Sequence, residues 1–150
     1  RGARAQVHRD IHALHSTDGG RTFTARLIDT WEIGACPMSS MAVLPGGSPL
    51  LAWEHDGQVA FRSRDAAGGP PPVDATDPRA RRKHPRLART AQGHVLLSWA
   101  AGTAWNKGGT VGWQLFDGDR GVGAIETRDG LPAWSFPAVV AAGDRFVVIY

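Results

Sequence analysis

Apolar residues along this chain fall in short runs broken by glycine- and proline-rich turns, and no useful stretch keeps the roughly 3.6-residue period of an amphipathic helix. Three segments share one grammar: a short apolar strand, a glycine turn, then a second apolar strand closing on an aromatic. They are Met41–Trp53, Pro85–Trp99 and Pro137–Tyr150. Their closing aromatics recur at the roughly 40–50-residue interval of a four-stranded propeller blade. Gln58–Ser63 and Val111–Phe116 read as further strands between them. The pattern predicts an all-β chain and, from the repeat, a β-propeller.

One octet sets the phase of the repeat. Residues 16–23 read Ser-Thr-Asp-Gly-Gly-Arg-Thr-Phe and fit the pattern Ser-x-Asp-x-Gly-x-Thr-(Trp/Phe), the Asp-box. Ser16, Asp18, Gly20, Thr22 and Phe23 predict a self-stapled hairpin turn. Asp18 accepts backbone amides, the glycines supply positive φ, Thr22 restarts the strand and Phe23 returns to an apolar layer. With strands lettered A to D outward from the centre, residues 11–16 and 22–28 become strands C and D. The expected organisation is a half blade over 1–30, a blade over 37–75, a blade over 84–128 and a half blade over 136–150. The stretch from Ser63 to Gly68 reads as a decayed second box. About three blades' worth of four-stranded antiparallel sheet results, fewer than the 4–8 blades of a closed ring. The rest is expected from a longer parent chain, the preferred reading, or from another chain or copy.

In this phase the D-to-A and B-to-C connections share one face, and the Asp-box lies on the other. Binding residues concentrate on loops carried by a rigid scaffold, which singles out 29–38, 54–57, 74–85, 100–110 and 128–136. Trp31, Trp105 and Trp134 lie there beside Glu32, Asn106 and Lys107. Indole rings stack on sugar faces while amides and acids bond hydroxyls, so these residues suit a glycan. They equally suit plugs between blades. Arg82 and His84, with Arg79, Arg81, Lys83 and Arg86, form a basic run able to fork onto a carboxylate or phosphate, or simply to be solvated. Glu54, His55 and Asp56 end a strand, where acid–base chemistry competes with a plain Asp-Gly turn.

Composition narrows the classes. Nineteen glycines, ten prolines and six tryptophans suit layered, turn-rich sheets. A formal charge of +3 is too small to imply a nucleic-acid partner. Cys36 is the single cysteine, so neither an intrachain disulfide nor a zinc ribbon is expected. His8, His12 and His15 resemble a metal set only superficially, because His12 and His15 differ by an odd step along a strand and face opposite sides. No phosphate loop, Ser/His/Asp order or metal motif appears, so no metal or cofactor is implied. No apolar run approaches the roughly 18 residues of a membrane span. The start at Arg1, without Met or a signal-like segment, reads as processing or as a piece of something longer.

Over nearly all its length the chain resembles the bacterial sialidase-like proteins with BNR, or Asp-box, repeats. The likeness rests on Arg9-Asp10-Ile11 leading to the box, Trp31–Met38, His84–Ala88, Gly102–Gly109 and Trp134–Pro137. The resemblance implies a propeller with six blades when complete, this chain giving its C-terminal portion, with Tyr150 at or near the natural end. It also implies an extracytoplasmic location. Sialidases use three arginines, a Tyr nucleophile with its Glu, and an Asp acid/base. At the expected site of that Tyr this chain has Trp134-Ser135-Phe136, and Tyr150 ends a strand instead. Glu32, Glu54 and Glu126 are the remaining carboxylates of that type, with Glu54 and Arg86 the catalytic candidates. The leading expectation is a non-catalytic propeller binding a glycan or a protein on its loop face. The alternatives are an exo-α-sialidase-type hydrolase whose remaining groups lie upstream, and a structural subunit of an extracytoplasmic assembly.

Overall fold

Eleven strands and no helix make up the described residues of the computed structural model, which are 8–32, 39–64, 81–118 and 120–150. β1 (His8–His15) pairs with β2 (Thr24–Glu32), and β3 (Met41–Leu44), β4 (Leu50–His55) and β5 (Gln58–Ser63) form a three-stranded sheet. β6 (Arg82–Arg89), β7 (His94–Ala101), β8 (Gly109–Asp117) and β9 (Arg120–Leu131) form a four-stranded one. β10 (Ala138–Ala142) pairs with β11 (Arg145–Ile149). Every pairing joins sequence neighbours antiparallel, and no sheet closes on itself. The expected strands at Gln58–Ser63 and Val111–Phe116 are present as β5 and the centre of β8. A fourth strand beside β5 would fall in residues outside the described set, as do the decayed box beyond Arg64, and Cys36.

The sheets stack on one another through alternate faces. Leu50, Ala52, Val59 and Phe61 of the three-stranded sheet meet Val95, Leu97, Trp99, Ala101 and Phe116 of the four-stranded one. Phe61 and Phe116 touch with ring centroids 4.5 Å apart. On its other face the three-stranded sheet offers Trp53, Ala60 and Leu51 to Ile28, Ile11 and Ala13 of β1–β2. β10 lies on β6 and β7. The first strands β3, β6 and β10 run side by side from sheet to sheet. A strand buried on both faces reads as a continuous apolar run, which is why β7 shows no alternation and is buried from Val95 to Ala101. Each large apolar side chain taken out of water there contributes about 1.5–3 kcal/mol.

The Asp-box turn is built as its residues predict. Asp18 Oδ1 accepts the amides of Arg21 and Thr22, each at 3.0 Å, and the Ser16 hydroxyl at 2.7 Å. Its Oδ2 accepts the Thr22 hydroxyl at 2.6 Å, while Ser16 Oγ takes the Gly20 amide at 2.8 Å. The hydrogen bonds from Thr22, then those from Ser16 and Arg21, hold the Asp18 carboxyl far below the ordinary carboxylate range. Phe23 departs from expectation: it is 56 % exposed, and among the described residues no sheet packs on it. Strand β2 also starts later than expected, at Thr24, because Thr22 is held in the turn.

Two measurements check this packing. Gly112 lies so close to the Trp99 indole that an added Cβ would sit 2.5 Å from Nε1. Gly112→Ala is expected to destabilise the fold by about 1–3 kcal/mol in urea denaturation, whereas Gly47→Ala, which meets open space, stays within about 0.5 kcal/mol. Asp18 has a lower carboxyl pKa folded than unfolded, so its contribution is present above the unfolded value and lost as pH falls below about 4. The protection of the Arg21 and Thr22 amides relative to their intrinsic exchange rates should therefore fall under acid in the wild type, and be low at every pH in Asp18→Ala.

Candidate functional site

Four non-glycine residues adopt positive φ: Asp56 (44°) between β4 and β5, His84 (56°) within β6, Asn106 (52°) between β7 and β8 and Trp134 (66°) between β9 and β10. Among the described residues these four are the complete set, and each falls in a segment singled out from the sequence, 54–57, 74–85, 100–110 or 128–136. Asp56-Gly57 is the two-residue hairpin turn its sequence predicts. Asn106 tolerates the left-handed region. His84 and Trp134 do not do so readily, and each costs on the order of 1–3 kcal/mol that its surroundings must offset.

His84 sits in a bulge of β6, where the register slips between Lys83 and Arg86. The bulge turns its amide onto Glu54 Oε1 at 3.0 Å, and its ring onto Phe136, with centroids 4.1 Å apart. Glu54 is buried, and the same oxygen accepts the Ser40 amide at 3.1 Å and the Ser40 hydroxyl at 2.6 Å. With its proton committed to Glu54, Ser40 Oγ accepts from His84 Nδ1 at 3.2 Å. This polarity is the reverse of a serine nucleophile's, whose proton goes to the histidine. The group is a staple tying the three-stranded sheet to the four-stranded one. Burial lowers the His84 pKa below its ordinary value, Lys83 and Arg86 push the same way, and Glu54 opposes them.

A second carboxylate staple lies one sheet earlier. Asp29 Oδ2 accepts the Trp53 indole N–H at 2.7 Å and His55 Nδ1 at 2.6 Å, while its Oδ1 takes the Thr30 amide at 2.9 Å. Trp31 leans on the His55 ring at 5.2 Å. Asp29 thus pairs β2 with the end of β4, as Glu54 pairs β4 with β6. His55 keeps a third of its side chain in solvent.

The exposed part of the face is aromatic. Ala104 and Lys107 exchange backbone hydrogen bonds at 3.1 and 3.2 Å, closing a tight turn with Trp105 and Asn106 at its tip. The Ser135 amide bonds the Pro132 carbonyl at 3.2 Å, which puts Trp134 at the third position of a β-turn, where type II geometry demands positive φ and ordinarily a glycine. The two turns bring the rings together edge-to-face, centroids 4.4 Å apart. Trp105 is 86 % exposed, Trp134 60 % and Phe136 52 %. Lys107 and Asp129 line an open depression of about 580 Å³ along Gly108–Thr110 and Gly130–Leu131.

The residues singled out from sequence therefore divide into separate sets. Trp105, Asn106, Lys107 and Trp134 come together. Trp31 and His55 meet at the Asp29 staple, and Glu32 is exposed at the end of β2. Glu54 and His84 are joined in the other staple. Arg82 is buried, with its guanidinium 4.9 Å over the Trp99 ring. Arg86 Nη1 donates to the Pro85 carbonyl at 2.9 Å. Asp29, Ser40 and Phe136 were not singled out. The signal for Asp29 was available, since a strand-end tryptophan buried in a sheet stack needs an acceptor for its N–H. Among the described residues no group of three His, Cys, Asp or Glu has metal-holding geometry, and no helix is long and apolar enough to cross a membrane.

Glu54→Ala is expected to cost about 2–4 kcal/mol in denaturant unfolding, because it strands the Ser40 and His84 amides without an acceptor. His84 releases its proton more readily folded than unfolded, so its contribution is complete above about pH 6.5 and declines as pH falls below it. His84→Asn, which keeps the left-handed backbone accessible, should flatten that part of the stability profile between about pH 7.5 and pH 5. Comparison of the chain with models of known families, with curated proteins and with solved structures finds no match.

Proposed function

We propose that this chain is an arc of a sialidase-like β-propeller that binds a glycan on the face formed by its D-to-A and B-to-C connections. The observation that carries the reading is the exposed aromatic group of Trp105, Trp134 and Phe136, two of whose rings meet at a corner on the turn that also bears Asn106 and Lys107. Surface tryptophans in so open a setting contribute little to folding. A corner of two perpendicular indoles offers one flat face to the C–H side of a sugar and one edge to its rim. The amine and amide on the same turn suit hydroxyl groups. The left-handed backbone at Trp134 adds to this, because conformational strain concentrates where a side chain must be aimed.

The arc itself is supported by the stacking of successive sheets through alternate faces, with β3, β6 and β10 side by side as inner strands. The Asp-box lies on the opposite face and serves the turn. The role is binding without bond cleavage: Glu54, the carboxylate named as a catalytic candidate, is occupied as a staple. An extracytoplasmic location accompanies the family resemblance.

Quenching of tryptophan fluorescence by a panel of neutral and acidic oligosaccharides tests the reading. At least one sugar should bind saturably, and Trp105→Ala should weaken it by about tenfold or more, equivalent to 1.4 kcal/mol, with the unfolding midpoint unchanged. Equal affinity in Trp105→Ala and Trp134→Ala would refute the assignment.

A further inference from the structure

Of the two carboxylate staples, the one on Asp29 leaves an imidazole open to solvent with one nitrogen unused. Asp29, in β2, keeps only 9 % of its side chain exposed, and its Oδ2 accepts both the Trp53 indole N–H at 2.7 Å and His55 Nδ1 at 2.6 Å. Oδ1 takes the Thr30 amide at 2.9 Å. The Trp53 bond by itself already ties β4 to β2, so the second donor matters chiefly for the ring that gives it. With the Nδ1 proton committed to a carboxylate, the neutral imidazole carries its lone pair at Nε2. That nitrogen makes no hydrogen bond among the described residues, and a third of the side chain stands in solvent.

The surroundings leave this ring little freedom. His55 ends β4, paired with Gln58 across the Asp56-Gly57 turn, and the Trp31 indole leans on it with centroids 5.2 Å apart and planes tilted by 46°. Trp31 is half-buried, so part of its own ring stays open. Arg9 is the register partner of Trp31 and therefore shares its face of β1–β2. It is half-buried and makes no ion pair or hydrogen bond with a described residue. An apolar ring, a fixed acceptor and a planar donor thus meet at one junction between sheets. The Glu54 staple has no such opening, because His84 Nδ1 faces Ser40 and Phe136 lies against the ring at 4.1 Å.

We propose that Trp31, His55 and Arg9 form a second sugar subsite on the connection face, taking a neutral hexose unit whose hydroxyl donates to His55 Nε2. A hydroxyl is donor and acceptor at once, so it can give its proton to the imidazole while its lone pairs take a guanidinium N–H. A carboxylate has no proton to give Nε2 and would face the Asp29 carboxylate one ring away, which selects a hydroxyl over an acid. The buried acid and the hairpin hold the acceptor in place beforehand, so little ordering cost remains at binding. The subsite lies between β1–β2 and the three-stranded sheet, apart from the Trp105–Trp134 corner on the connections of the four-stranded one. It rests on the reading of this face as a glycan surface and adds a second point at which the glycan is read.

Titration of the nitrogen-15-labelled chain with methyl α-glucoside, methyl α-mannoside and methyl β-galactoside tests it, followed at the indole N–H resonances, where Trp31 and Trp105 report the two places separately. At least one glycoside should shift the Trp31 signal saturably. His55→Asn keeps a side-chain N–H where Nδ1 donates to Asp29 but offers nothing at the place of Nε2. It should weaken that binding by about fivefold to tenfold, the effect of one hydrogen bond, with the Trp53 indole signal unmoved because staple and fold persist. Deoxy analogues of the same glycoside read the contact on the wild type without any substitution: one of them should lose as much affinity, and lose nothing further in His55→Asn. A Trp31 signal indifferent to every glycoside would overturn the proposal, as would binding that both His55→Asn and the deoxy series leave unchanged. Shifts at Trp105 in that same titration would leave the proposed function standing. A shift at Trp31 with none at Trp105 would support the subsite and count against the aromatic corner instead.

Discussion

A β-sheet that is apolar on both faces cannot stand at a boundary with water, and this requirement governs the whole chain. The three-stranded sheet has a core on one side built around Leu97 and Trp99, and another on the other side around Trp53 and Ile28. Neither face can be left open without forfeiting several large side chains. Stability therefore passes from sheet to sheet, and each depends on its neighbours more than on any internal core. In such an arrangement local damage has lateral consequences: loosening Trp99 against Gly112 disturbs the core that the four-stranded sheet shares with its neighbour.

Polar groups resolve what apolar packing leaves undetermined, namely how far one sheet slides against the next. Asp29 and Glu54 each reach across a junction and accept donors from more than one element. Carboxylate hydrogen bonds are directional and short, so they fix register where aliphatic contacts would tolerate drift. The Glu54 staple also carries the His84 ring that packs on Phe136, so it links two successive sheets and, through the connection leading into β10, a third.

Periodicity and turn chemistry made most of the architecture legible. The apolar runs ending at Trp53, Trp99 and Tyr150 located β4, β7 and β11, and the octet at 16–23 located the first hairpin. The candidate site was legible only in part. Trp105, Asn106, Lys107 and Trp134 were found because their loops could be ordered by strand phase. The place of Arg82, a guanidinium over an indole ring, is one that charge counting cannot anticipate. The roles of Ser40 and Asp29 depend on residues far along the chain, and such long-range pairings leave no local trace. Phe23, expected to return to an apolar layer, is exposed, while the hydrogen bonds of the motif are all made.

The hydrogen bonds of the Asp18 turn are all drawn from within residues 16–22. A structure closed over so short a span pays little loop entropy and can form on the timescale of local chain closure, on the order of 10–100 ns for about ten residues. It can bring β1 and β2 together before any sheet has a neighbour to pack against. In a protein whose other contacts are mostly distant in sequence, the turn then acts as a pacemaker for assembly, giving the slower sheet-on-sheet docking a hairpin already in register.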